Sequence, residues 1–307
     1  MFPSKILLFG EYSIFLNSDA LAIPYSRFSG KLAFKDSDTD TKSQVAERSN
    51  LRLKELFFFI NQADIRNRIE FQFNFESFGK DLEKGLWFKS DIPEESGLGS
   101  SGALVAAVFE RYSDVRTSNA DLLRIKNCLA LIESVYHGKS SGLDPLVSYL
   151  KTPLLIKGKH IGRVSVKQID NLLHEYGFFL VCHRQSGKTG ELVKKFNAKC
   201  KSEPGYLNKL EQEYIPLNNK CILSLSKSGN IASFFSLIRR LSELQLELFN
   251  EMIPEKFSPL IYSGLENNLY YLKLCGSGGG GYFLGFTKSI SETESYFKSM
   301  GYPIMIY

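Results

Sequence analysis

Cysteine is scarce here and badly spaced for chemistry: there are five, an odd number, and no two form a C-x-x-C pair. That excludes a disulfide framework and a cysteine zinc site, and fits unpaired thiols in a reducing compartment. A dominant charge is missing too. The 38 basic residues face 33 acidic ones for a net charge of +5, with no basic block, so nucleic-acid binding has little support. Long apolar runs are also absent. The opening MFPSKILLFGEYSIF carries Lys5 and is interrupted by Gly10 and Glu11, too short and too broken for a signal or membrane-spanning segment. No internal repeat occurs, and the only low-complexity tract is the glycine run at 278–281. A soluble cytoplasmic protein without nucleic-acid or membrane partners is expected.

What is present is apolar material for packed cores, 43% hydrophobic and 13% aromatic over 307 residues, about twice a typical domain. Strands are expected at 5–9 and 20–34, a polar loop at 35–43, and a helix at 51–60. The alternation of Ile69, Phe71, Phe73 and Phe75 reads as a half-buried strand, with another strand at 86–88. Next come a helix with Leu104, Val105, Val108, Phe109 and Tyr112 on one face, and a second helix that Ser118 or Asn119 caps and Gly138 stops. The basic, glycine-bearing stretch KGKHIGR at 157–163 marks a boundary, giving domains 1–160 and 161–307. The second half reads as a strand at GFFLVC, helices at GELVKKF, 206–215 and 231–250, two strands flanking CGSGGGG, a helix at 291–300 and a last strand, YPIMIY. The fold class is α+β, a sheet covered by helices on one side.

The chain is organised around PEESGLGSSGALVAAVF at 93–109, a polar loop that passes through glycines and serines into an apolar helical pattern. Gly97 and Gly99 let backbone N–H groups converge, and a helix N-terminus adds its positive dipole end, an arrangement suited to phosphate. An ordinary N-capped helix after a glycine turn reads the same way, so the loop alone does not decide. Three stretches imitate nucleotide motifs. GLGSSG at 97–102 follows DIPEES instead of a buried strand, and GSGGGG at 276–281 leads into a strand instead of a helix. CHRQSGKTGEL at 182–192 lacks the first glycine of a Walker loop, having Cys182 there.

Chemistry points to two acids. Glu133 falls on the apolar face formed by Leu122, Ile125, Leu129 and Ile132, so it needs a cation, either a basic side chain or a bound metal. Eleven residues on, HGKSSGLDP brings in Asp144 on a Gly-Ser loop. Glycine loop, metal-type acid and second carboxylate are the parts that phosphoryl transfer requires.

KILLFGEYSIF, PEESGLGSSGA and KLCGSGGGGYF stand in the order and spacing of the three motifs of the GHMP kinases, and the chain resembles that superfamily over nearly its whole length. ESVYHGKSSGLDPLVS is similar to the metal-acid helix and base loop of its mevalonate kinase branch. The resemblance implies an N-terminal α/β domain with a left-handed βαβ crossover, joined to a ferredoxin-like C-terminal domain. It implies that Gly97, Leu98, Gly99, Ser100, Ser101 and Gly102 wrap the phosphates of ATP, and that Ser101 and Glu133 hold Mg²⁺. Asp144 would be the base, with Lys5 beside it, while Glu11, Tyr12 and Thr189 would face the substrate. The second glycine loop, with Gly276, Gly278, Gly279 and Gly280, would pack over the phosphate loop.

Departures from the family pattern fall near the substrate. Tyr12 stands where mevalonate kinases commonly carry histidine, Gly102 replaces a usual alanine and loosens the helix start, and Ser140 replaces a usual proline and loosens the loop of Asp144. The implied activity is ATP-dependent phosphorylation of a small alcohol, mevalonate foremost. Alternatives are another acceptor (phosphomevalonate, homoserine or a sugar) or a non-catalytic nucleotide or metabolite sensor. The resemblance leaves room for a homodimer.

Overall fold

The structure is a computed structural model, and it describes residues 1–34, 40–94, 96–115, 121–165, 177–183, 189–226 and 231–306. The chain forms two compact units that interleave in sequence. One comprises Met1–Lys5, Pro24–Pro93 and Gly99–Lys151, the other Ile6–Ile23, Glu94–Leu98 and Thr152–Tyr307.

Strand β1 (Phe2–Phe9) is buried along its whole length, Ser4 and Lys5 included, and ends in the unbroken apolar run Ile6–Phe9. β2 (Ala20–Phe34) begins in the second unit, where Ala20–Ala22 pair antiparallel with β4 (Leu154–Lys157). It continues in the first, where Gly30–Phe34 pair antiparallel with β3 (Leu86–Ser90). Gly30 is needed there because a Cβ would lie 2.1 Å from the Phe88 ring. β4 turns through Gly158 into β5 (His160–Arg163), so the stretch expected as a boundary is a hairpin. The strand order is β1-β2-β4-β5, with β3 on β2.

Helices of the first unit are α1 (Asp40–Ile60), α2 (Ala63–Arg66), α3 (Phe75–Glu83), α4 (Ser100–Tyr112), α5 (Leu122–His137) and α6 (Leu143–Leu150). α4 is buried from Gly102 through Phe109; its glycine and alanines let neighbours approach where larger side chains would not. Asp121 caps α5 by accepting from the Leu123 N–H at 2.9 Å, and Gly138 at φ 72° ends it. The caps expected at Ser118 and Asn119 lie outside the described residues.

Two expectations fail here. α1 begins at Asp40, inside the stretch read as a polar loop. Residues 69–75 form no strand: odd positions are the more buried, as expected, but the segment makes one isolated bridge, Phe73 with Ser113. Asn74 then caps α3 by accepting from Ser77 N–H, and a helix start two residues after the bridge leaves no room for a ladder.

The second unit holds an antiparallel sheet ordered β7-β8-β6-β9, from β6 (Phe178–His183), β7 (Tyr270–Leu274), β8 (Gly281–Thr287) and β9 (Ile304–Ile306). That is the ferredoxin-like order. Between β6 and β7 run α7 (Thr189–Ser202), α8 (Pro204–Lys209), a π turn at Leu210–Tyr214, α9 (Ile215–Ser226), α10 (Ile231–Leu248) and α11 (Ser258–Asn267). α12 (Ile290–Ser299) lies between β8 and β9. α9 and α11 had no counterpart in the sequence reading. β7 is an edge strand, and α10 covers its free groups: Ser242 Oγ donates to Leu272 O at 2.5 Å, and Leu274 N donates to Gln245 Oε1 at 2.7 Å. No helix among the described residues is long and apolar enough to cross a membrane.

Candidate active site

In the first unit, β1, the start of α4, the end of α5 and the start of α6 bring one cluster together. Lys5 Nζ lies 3.0 Å from Asp144 Oδ2; the lysine side chain is 3% exposed and the aspartate 30%. The lysine is held and the carboxylate can be reached. Gly99, at φ 76°, is the N-cap of α4 and makes no side-chain cap; a Cβ there would fall 2.8 Å from Lys5 Cγ. Helix, lysine and carboxylate can therefore meet only around a glycine. Ser100 and Ser101 are the first two helical residues.

Glu133 is buried on α5. Its Oε1 accepts from Ser101 Oγ at 2.9 Å and its Oε2 from Ser140 Oγ, and it makes no ion pair among the described residues. Burial, reinforced by the charge of Asp144 and opposed by the two serine donors and Lys5, pushes its carboxyl up to about 7. Of the two partners weighed for Glu133, the basic side chain is absent. His137 Nε2 lies 2.9 Å from Ser101 Oγ, and burial holds its imidazole below the ordinary range, favouring the neutral ring. The Lys5–Asp144 pair thus stands near a second, buried carboxylate that is held by serine hydroxyls. No group of three or more His, Cys, Asp or Glu among the described residues could hold a metal ion unaided.

Two departures from the family pattern act opposite to expectation. A Cβ on Gly102 would lie 2.8 Å from both Asp144 C and Pro145 N, so this glycine admits the backbone at Asp144 instead of loosening the helix. Ser140 binds Glu133 and also accepts from Gly142 N at 2.9 Å, so it fastens the loop it was expected to loosen.

In the second unit the first and third motifs meet. Glu11 forms an ion pair with Lys273 of β7, both side chains fully buried, and Lys273 Nζ also donates to Leu274 O at 2.7 Å. Tyr12, at φ 57°, packs its ring 4.9 Å from that of Phe196 and 5.3 Å from that of Phe249. Its hydroxyl, expected to orient a substrate, donates to the Ser277 carbonyl, and burial raises its pKa. Glu11 and Tyr12 are both buried here, in contact with the second glycine loop and the strand before it.

That loop meets the segment Ser96–Gly97 before helix α4. Tyr282 N donates to Ser96 O at 3.2 Å, and a Cβ at Gly97 would lie 2.4 Å from Cys275 O. A Cβ on Gly276 would touch Gly97 O at 3.4 Å, while Gly279 N donates to Met252 O at 2.6 Å and Gly278 passes close to the same carbonyl. Gly280 takes φ 145°, and Leu98 is fully buried. Thr189 is the first residue of α7, and its side chain lies outside the described residues, as do positions 184–188 of the Walker-like stretch.

His137 and Lys273 were not singled out from sequence, and Ser140 was named only as a departure from the family pattern. His137 was visible as the residue four after Glu133, on the same helix face. Lys273 was visible as a lone charge in the apolar strand YYLKL.

A ferredoxin-like unit and a unit with a glycine-opened helix, in which a lysine-held carboxylate stands beside a buried acid, make a two-domain α+β fold. Residues 66–152 match the family model described as the GHMP kinases N terminal domain. The chain is similar to a mevalonate kinase of Pyrococcus abyssi, 24% identical over 296 residues that cover 91% of this chain and 85% of that one. In structure it is similar to Leishmania major mevalonate kinase in complex with R-mevalonate, with a TM-score of 0.64, 15% identity, and coverage of 98% and 90%. It is also similar to Lactococcus lactis galactokinase complexed with galactose, with a TM-score of 0.63, 14% identity, and coverage of 100% and 91%. The chain is thus similar to the GHMP kinases in sequence over residues 66–152 and shares the fold of these structures over nearly its whole length.

Proposed function

We propose that the chain is an ATP-dependent kinase that phosphorylates the primary hydroxyl of mevalonate to give 5-phosphomevalonate. The observation that carries this is the Asp144 carboxylate, accessible yet held by buried Lys5, beside the uncapped start of α4. Similarity to curated mevalonate kinases over nine-tenths of the chain supports the acceptor, whereas fold likeness alone suits galactose as well.

Asp144 takes the proton of the acceptor hydroxyl as its oxygen forms a bond to the γ-phosphorus of ATP and the bond to the ADP oxygen breaks. Lys5 orients Asp144 and adds a fixed positive charge beside the bond being formed. Residues 97–102 take the phosphates on backbone N–H groups at the helix start. Ser101 and Glu133 fit a hard divalent cation, being an oxygen pair with a buried carboxylate and no cation of its own among the described residues. Mg²⁺ held there would neutralise phosphate charge, with nucleotide oxygens and water completing its shell. Glu11, Tyr12 and the glycines at 276–280 brace the loop segment at Ser96 and Gly97. The chemistry needs neither nucleic acid nor membrane, and suits a cytoplasmic enzyme.

The test is ADP release with Mg²⁺ and ATP against mevalonate, phosphomevalonate, homoserine and galactose. Mevalonate should give the highest kcat/KM. A higher value for another acceptor reassigns the substrate, and release with none of them points to a sensor.

A further inference from the structure

Ser140 stands between the two acids. Its hydroxyl donates to Glu133 Oε2 and accepts from Gly142 N at 2.9 Å. Gly142, at φ 71°, is the N-cap of α6, and Asp144 is the second residue of that helix. The turn itself is pinned, since a Cβ on Gly142 would lie 2.2 Å from Lys126 O on α5. A serine that only closed a turn would need the Gly142 contact alone. The second contact goes to a buried carboxylate whose other oxygen accepts from Ser101. With both oxygens engaged the carboxylate plane is fixed, and one side chain links it to the backbone that carries the base.

We propose that Ser140 is a positioning residue that ties the Glu133 carboxylate to the loop of Asp144, so that the metal-type acid and the base keep one spacing. The proposal rests on the reading of Glu133 as the cation-binding acid. Proline, the usual residue of the family pattern at this position, can make neither bond. In this chain the coupling that a rigid ring cannot give comes from a hydroxyl, and Gly102 leaves the space into which the fastened loop settles.

The test is Mn²⁺ binding, read by electron paramagnetic resonance in the presence of a non-hydrolysable ATP analogue, for wild type, Ser140→Ala and Ser140→Thr. Loss of a hydrogen bond to a charged group should weaken Mn²⁺ binding about tenfold in Ser140→Ala. Ser140→Thr, which keeps the hydroxyl, should stay within about twofold of wild type. If Ser140→Ala does not fold, Ser140→Cys is the second variant, with intermediate affinity expected from its weak donor. Alanine or cysteine at wild-type affinity, or threonine as weak as alanine at an unchanged melting temperature, overturns the proposal. Because no acceptor is present, failure of the mevalonate assignment would leave this outcome intact.

Discussion

Lys5 and Asp144 meet at 3.0 Å with the lysine almost wholly buried and the aspartate open on one side. A fixed cation beside a reachable carboxylate suits the base proposed for Asp144, oriented without being blocked. Asp144→Asn keeps the size and removes the proton acceptor. Turnover should fall by roughly 10² or more, with the nucleotide Kd nearly unchanged. Steady-state rates and calorimetric ATP binding check it, and a variant that keeps half its rate would reject Asp144 as the base.

Glu133→Gln and Ser101→Ala should each raise the Mg²⁺ concentration needed for half-maximal rate, because each removes part of the oxygen set offered to the cation. Mg²⁺ titrations at saturating ATP decide. An unchanged requirement together with a lowered melting temperature would make the pair structural.

Gly102→Ala puts a methyl group 2.8 Å from the Asp144 and Pro145 backbone. Alanine is the better helix former by about 1 kcal/mol, yet the loop must shift to admit it. kcat should drop at least severalfold even where stability holds. Wild-type kcat would show that the loop yields freely.

The Glu11–Lys273 pair is fully buried, so removing one partner strands the other. Glu11→Gln should cost about 3–5 kcal/mol in urea unfolding, and the double change Glu11→Leu with Lys273→Met much less. Equal losses in single and double variants would contradict this.

Burial pushes the Cys128 and Cys221 thiols up to about 12 from an ordinary 9.0. Above pH 9 the unfolded chain loses these protons first, so their contribution to stability is full below that value and drains away as pH rises toward 12. The upper-limit slope is about 1.4 kcal/mol per pH unit for each. Cys128→Ala with Cys221→Ala should flatten the fall in urea midpoint between pH 9 and 10.5; an unaltered slope would place the proton loss elsewhere.

Elements with a strong local signature were legible. The glycine-opened helix α4, the end of α5 at Gly138, and the strands on either side of the 276–280 loop all stand where pattern and caps put them. Segment 69–75 was misread because alternating burial does not require a ladder, and the Asn74 cap decided otherwise. In the site, Glu133 and Asp144 could be singled out from the helix face and the Gly-Ser loop, Lys5 and Ser101 through motif resemblance, and the four are brought together. The partners of Glu11 and Tyr12 could not be read, because Lys273 and Ser277 lie more than 260 residues away. Nor could the purpose of Gly102 and Ser140, which depends on a close approach between backbones that no local pattern records.

The interleaving of the two units has a consequence for biogenesis. Residues 6–23 and 94–98 leave the ribosome well before residues 152–307, with which they form one unit. The second unit therefore cannot close until its last strands have been made, and during that interval the apolar Ile6–Phe9 stretch has only its neighbour β2 and not the rest of its unit. Until then the nascent chain exposes a strand-forming segment, the kind of surface that chaperones engage.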